Sequence, residues 1–190
     1  MKSLQAMGVA VALSLSFNSV VVMAHGNATG IVKERMELMK EMKDAMKSVA
    51  DIFSGKSEYN ANTIKDAAQT IERNAGSAMT ELFPEGSIHG PSEARPEIWQ
   101  EWERFEDLSD RLQRYSAALA NAADNEAVSP GRSATGMMGT SSMMGNGGMG
   151  NMMGADGPSE EHLSQMPADR VFKMVTDTCS SCHTRYRVEE

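Results

Sequence analysis

The chain has 190 residues, a formal charge of −8 and 41% hydrophobic residues, which is room for one domain of ordinary size. That acidity argues against nucleic acid or anionic lipid as partner and suits a basic protein partner instead. With only two cysteines the chain cannot be a disulfide-stapled scaffold, so its stability has to come from a core.

The first segment reads as a secretory signal peptide. Lys2 precedes a mostly apolar stretch from Ala6 to Met23, and Val22-Met23-Ala24 supplies the small residues of a cleavage site, with the cut expected after Ala24. The competing reading is a retained membrane anchor. Ser14, Ser16, Asn18 and Ser19 interrupt the apolar run, however, and no flanking charge follows it. A periplasmic location without stable membrane insertion is therefore expected.

Helical periodicity begins next. Val32, Met39, Met42, Met46, Val49 and Phe53 recur at spacings of three, four and seven, with Lys and Glu between them, which predicts a helix over about 29–53. Ile64, Ala68, Ile71, Ala75, Ala78 and Leu82 repeat the pattern over about 62–82, and Phe83-Pro84-Glu85-Gly86-Ser87 stops it. Pro96, with its φ already suited to a first helical turn, opens a third helix through Ile98, Trp102, Phe105, Leu112 and Leu119 to about 123. The interval of about 124–161 breaks the pattern: Met137-Met138, Met143-Met144, Met149 and Met152-Met153 are embedded in glycine, so a flexible, disordered insertion is expected. A fourth helix over about 164–188 carries Val171, Met174, Val175 and Thr178 on one stripe. Four amphipathic helices with no strand candidate predict an all-α fold, a four-helix bundle.

The fourth helix delivers the most informative motif. Cys179-Ser180-Ser181-Cys182-His183 is a c-type haem attachment sequence. Thiols three residues apart on a helix can reach the two vinyl groups on one edge of a porphyrin, and His183, four after Cys179, can hold the iron. A thioredoxin-like redox pair would need a strand before the helix, and none is predicted. A structural zinc site would need a fourth ligand, with only His25, His89 and His162 as further histidine donors. One covalent haem c is the expected cofactor.

Arg35-Met36-Glu37-Leu38-Met39-Lys40, Arg95-Pro96-Glu97-Ile98-Trp99, and Cys179 to His183 followed by Tyr186-Arg187 resemble the class II c-type cytochromes, the cytochrome c′ and cytochrome c-556 group. The resemblance covers roughly residues 29–123 and 164–190, and the Met-rich insertion departs from it. It implies an antiparallel four-helix bundle with haem near the C-terminal helix. It also implies that Met39, four residues after Arg35, faces the iron opposite His183, as in the six-coordinate, low-spin c-556 pattern. By periodicity alone Met36, Met39, Met42 and Met46 are equivalent, and a Met stripe is the usual content of a core.

Arg35 resembles the family arginine that reaches a haem propionate; its alternative role is an ion pair on a solvated helix face. Trp99 either lines the haem pocket or only packs, and Arg187 either tunes the proximal field or is simply a cation near a helix C-terminus. A His/Met pair raises the reduction potential and favours reversible electron transfer, so the expected function is a periplasmic monohaem electron carrier and not an enzyme. The alternatives are a five-coordinate cytochrome c′ that binds NO or CO, and a small peroxidase. The peroxidase requires a distal acid or base that the first helix does not supply, since His89 and His162 fall in expected loops.

Cu(I) binding by the soft thioethers of residues 137–153 is a further alternative, as is Cu(II) chelation by His25 at a newly exposed amino terminus. Scavenging of oxidants through sulfoxide formation is a third use for those methionines. Basic periplasmic redox proteins are the expected partners, and the resemblance also allows a homodimer through the first two helices.

Overall fold

The computed structural model describes residues 28–125 and 157–188. The expected signal peptide with its cleavage after Ala24, His25, and the methionine segment with the disorder and copper binding expected of it all lie outside the described residues.

The first helix, α1, runs Gly30–Phe53. Its buried stripe is Val32, Arg35, Leu38, Met42, Ala45, Val49 and Ile52, the three- and four-residue spacing that turns one face of a helix inward. Asp51 and Ala50 carbonyls accept the amides of Lys56, Ser57 and Ser54 where the helix stops, so the terminal acceptors are satisfied by the turn that follows.

The second expected helix is interrupted. Helix α2, Ala61–Asn74, starts where the Asn60 side chain accepts the Thr63 amide at 3.0 Å. It ends at Gly76, whose φ of 63° is a conformation that favours glycine. Gly76 is also locked to the third helical segment: its amide donates to the Ser109 carbonyl at 3.2 Å, and Ser109 Oγ donates back to the Gly76 carbonyl at 3.1 Å. A Cβ at this position would lie 2.6 Å from Gln113 Oε1. A single turn, α3 (Ser77–Thr80), follows, and the break turns Ala78 out to solvent.

The third expected helix is likewise two, α4 (Glu97–Gln100) and α5 (Trp102–Ala122), hinged at Glu101 with φ −128° and ψ 41°. Beyond the insertion, α6 (Glu160–Ser164) starts four residues before the expected boundary, with Ser159 Oγ accepting the His162 amide. Pro167 then separates it from α7, Ala168–Tyr186.

Helices α1, α2, α5 and α7 form an antiparallel four-helix bundle, α1 packing on α2, α2 on α5 and α5 on α7. The ring closes where Phe53, ending α1, meets Phe172, near the start of α7, with centroids 5.4 Å apart. The opposite end therefore brings together the start of α1 and the end of α7. A line of aromatic contacts marks it: Arg35 over Phe83, Phe83 on Phe105 at 5.0 Å, Phe105 on Tyr186 at 5.5 Å. The described residues contain no strand, only an isolated antiparallel bridge between Ala94 and Arg187. None of their helices is long and apolar enough to cross a membrane.

Candidate functional site

Helix α7 places Cys179 and Cys182 about one turn apart, both half-buried against the core and both free thiols. Neighbouring hydroxyls are spent on the helix itself: Thr178 Oγ1 donates to the Met174 carbonyl and Ser181 Oγ to the Asp177 carbonyl, each at 2.8 Å. Burial pushes the Cys179 thiol up to about 11 and the Cys182 thiol up to about 12. Both are therefore protonated at neutral pH, the reverse of the lowered thiol of a redox-active pair.

His183 extends much of its surface to solvent, yet the protein packed around it makes desolvation the largest influence on its ring, lowering the pKa. Arg187 lowers it further and Glu93 opposes both. The neutral imidazole favoured by this setting is the form that binds metal.

Arg35 is 5% exposed, which removes the solvated-face reading. Its Nη2 donates to the Ser87 carbonyl at 2.7 Å, with Ser87 Oγ at 3.4 Å, and its guanidinium carbon lies 4.6 Å from the Phe83 ring centroid. Nε and Nη1 are buried with no partner among the described residues. Desolvation lowers the pKa of Arg35, though a guanidinium stays charged at any ordinary pH. A buried cation with two unspent donors calls for an anion. Two thiols, an adjoining imidazole and this guanidinium at one end of the bundle make a donor set that suits a porphyrin with thioether links, an axial nitrogen and a carboxylate side arm.

Met39 stands one turn after Arg35, half-buried beside the core. Met42 is buried and is a core residue, while Met36 and Met46 are half-buried like Met39. Trp99 turns its indole N–H to the Phe83 carbonyl at 2.9 Å, fixing the segment that carries Phe83 and Ser87. Arg187 lies just past the end of α7 in extended backbone, its Nε 2.6 Å from Glu93 Oε2.

His89 is exposed in the connection between α3 and α4. His162 corrects the loop expectation: it is an exposed residue of α6, because the Ser159 cap starts that helix early. Among the described residues no group of three or more His, Cys, Asp or Glu could hold a metal ion, and neither His89 nor His162 joins the α7 cysteines.

Four residues of this end are not singled out by sequence: Phe83, Ser87, Glu93 and Glu101. Phe83 and Ser87 lie in the stretch that reads only as a helix stop, and the two glutamates have partners at the end of α7 and just past it, more than 80 residues away.

A family model described as Cytochrome C′ matches residues 30–141, ending before Cys179. Cytochrome c-556 of Agrobacterium tumefaciens (strain B2A) is 40% identical over 83 residues, which is 44% of this chain and 66% of that protein, just under two thirds of its length. Cytochrome c′ of Rhodopseudomonas palustris has a similar fold, with TM-score 0.59 at 19% identity over 86% of this chain and 99% of that one. So does a cytochrome c prime of Alcaligenes xylosoxidans with bound NO, at TM-score 0.54 and 20% identity over 84% and 94%. Helices, donor set and the match over more than half its length agree: the chain belongs to the cytochrome c′ family, whose members carry covalently attached haem c.

Proposed function

We propose that the protein is a periplasmic electron carrier of the c-556 kind, holding one haem c through thioethers at Cys179 and Cys182. His183 is the proximal iron ligand and Met39 the distal one. When bound, haem c supplies a one-electron couple between ferric and ferrous iron. The observation that carries the reading is the presence, at one end of the bundle, of two half-buried α7 thiols and a buried, half-spent Arg35.

Each residue has a distinct task. The cysteine sulfurs fix the porphyrin edge to α7, so the cofactor cannot leave. Arg35 offers Nε and Nη1 to a propionate, a charge-assisted pair that is strong in a buried setting. Met39 would offer the iron a soft thioether, which favours the ferrous state, and a thioether held there would keep small ligands off the metal. The acidic surface suits a basic redox partner. Export would be directed by the signal peptide read from residues 1–24, with cleavage after Ala24, and association as a homodimer is compatible with the fold.

A gas-binding protein is the second reading, motivated by the similar fold of the cytochrome c prime with bound NO and by the equal burial of Met36 and Met39. Optical spectra of the purified oxidised and reduced protein separate the two. A low-spin ferric spectrum with a sulfur-to-iron charge-transfer band supports the carrier, and a high-spin spectrum assigns the gas binder.

A further inference from the structure

The last turn of α7 is gripped from more than one side. Arg185 Nε and Nη2 both donate to the Glu101 carboxylate, a fork-on-fork pair, and the Tyr186 hydroxyl donates to Glu101 Oε2 at 3.2 Å. One residue on, Arg187 bonds Glu93 through Nε, the Val188 amide donates to the Glu93 carbonyl at 2.8 Å, and the Arg95 amide donates to the Tyr186 carbonyl at 2.8 Å. Residues 185–188 are thus tied to residues 93–101 by two ion pairs, a phenol and two backbone hydrogen bonds.

We infer that Glu101 is a positioning residue: through Arg185 and Tyr186 it sets the rotation of the α7 turn that presents His183. The inference rests on the reading of His183 as the iron ligand.

Helix ends fray because their last carbonyls lack partners. Here the carbonyl of Tyr186 is taken by Arg95, and the turn is clamped by a carboxylate that accepts from two successive residues. In an α-helix, two residues advance about 200°. Arg185 therefore projects away from His183, while Tyr186, seven residues after Cys179, shares the face of the cysteines; holding both fixes the azimuth of the imidazole.

Glu101 is itself held at the hinge between α4 and α5, where its carbonyl accepts the Phe105 amide at 3.0 Å. The Tyr186 ring rests edge-on against Phe105, so both ends of the clamp share one buried ring. As the pair is partly exposed, its worth lies in geometry more than in stability.

The test uses the haem-loaded protein, with Glu101→Arg, Arg185→Glu, the double swap, and Glu101→Gln. The readouts are the ferrous iron–histidine stretching band by resonance Raman, taken in wild type or, where that is six-coordinate, in a Met39→Leu background, together with the midpoint potential. Glu101→Arg should shift and broaden the band and move the potential, and the swap should restore both. Glu101→Gln, which keeps the shape and one acceptor, should give a smaller shift in the same direction and stands in if Glu101→Arg does not accumulate. A band and potential identical to the parent in the Glu101 variants overturn the inference while leaving His183 as ligand. A five-coordinate high-spin ferrous parent with no iron–histidine band overturns the His183 assignment and the inference with it.

Discussion

The Arg35 guanidinium lies over the Phe83 ring, 4.6 Å from its centroid, and spends only Nη2 on the protein, at the Ser87 carbonyl. Replacing it by Met keeps the stem and removes the charge. Loss of a buried hydrogen-bonded cation should cost about 1–3 kcal/mol of stability. If the two unspent donors hold a propionate, the midpoint potential should also fall, because a nearby cation favours the less positive ferrous state. An unchanged potential with reduced stability would confine Arg35 to a packing role.

Of the four methionines of α1, Met42 is buried and Met36, Met39 and Met46 are half-buried, so substitution rather than burial has to tell the ligand from packing. Met39→Leu should turn a low-spin ferric protein into a high-spin one that takes up CO readily. Met42→Leu, at a buried position, should leave the spectrum alone and cost under about 1.5 kcal/mol, as volume-conserving core exchanges do. Met36→Leu and Met46→Leu should also leave it alone. If Met36→Leu gives the spectral change in place of Met39→Leu, the distal ligand moves one turn.

Phe105, 2% exposed, touches Phe83, Trp102 and Tyr186 and so joins the α5 hinge to both ends of the site. Truncation to Ala should cost about 3–5 kcal/mol. Urea unfolding of the haem-loaded protein measures this, and a loss below 1 kcal/mol would show that the aromatic line is not a structural unit.

At the end of α1, Lys47 Nζ donates to Asp51 Oδ2 at 2.7 Å. The hydrogen bond to Lys47 holds the Asp51 carboxyl below its ordinary 3.8, and the same bond raises Lys47 above its ordinary 10.5. Asp51 therefore contributes stability that is present above its unfolded pKa and lost as pH falls through the lower folded one. Lys47 contributes stability that is present below 10.5 and lost as pH rises through its higher folded value. Asp51→Asn should flatten melting temperature against pH on both the acid limb below 3.8 and the alkaline limb above 10.5. A parallel, unflattened curve would show that the pair is too well solvated to matter.

The chain leaves and re-enters the bundle at a pinned site. Asn125 Nδ2 donates to the Ser164 and Met166 carbonyls at 2.8 and 2.7 Å, and the Tyr59 hydroxyl donates to the Ala123 carbonyl at 2.7 Å. Deleting residues 136–154 should therefore leave the haem spectrum and cooperative unfolding intact, since shortening a closed loop costs little. If the methionines there bind Cu(I), the full chain should take it up against a chelator under reducing conditions and the deletion should not. Equal uptake by both forms, or none by either, removes copper from that segment.

The four-helix bundle was legible because an amphipathic helix writes its period of 3.6 into local sequence. Cys179 to His183 reads as a haem attachment sequence because covalent attachment requires two thiols and an imidazole within five residues. The break at Gly76 was not, since Ala75 and Ala78 continue the apolar period straight through it; the reason for the break is Ser109 on another helix. The hinge at Glu101 was equally hidden, because Trp102 and Phe105 sustain the helical spacing on its far side. Arg35 read from sequence alone as either a surface cation or a haem residue, and only packing against Phe83 and Ser87 from a distant connection made it buried and half-spent. Residues that interact within one or two turns leave a periodic trace along the chain. A carboxylate at the α4–α5 hinge meeting an arginine on α7 leaves none, because 84 residues separate them and only the closed bundle brings them together.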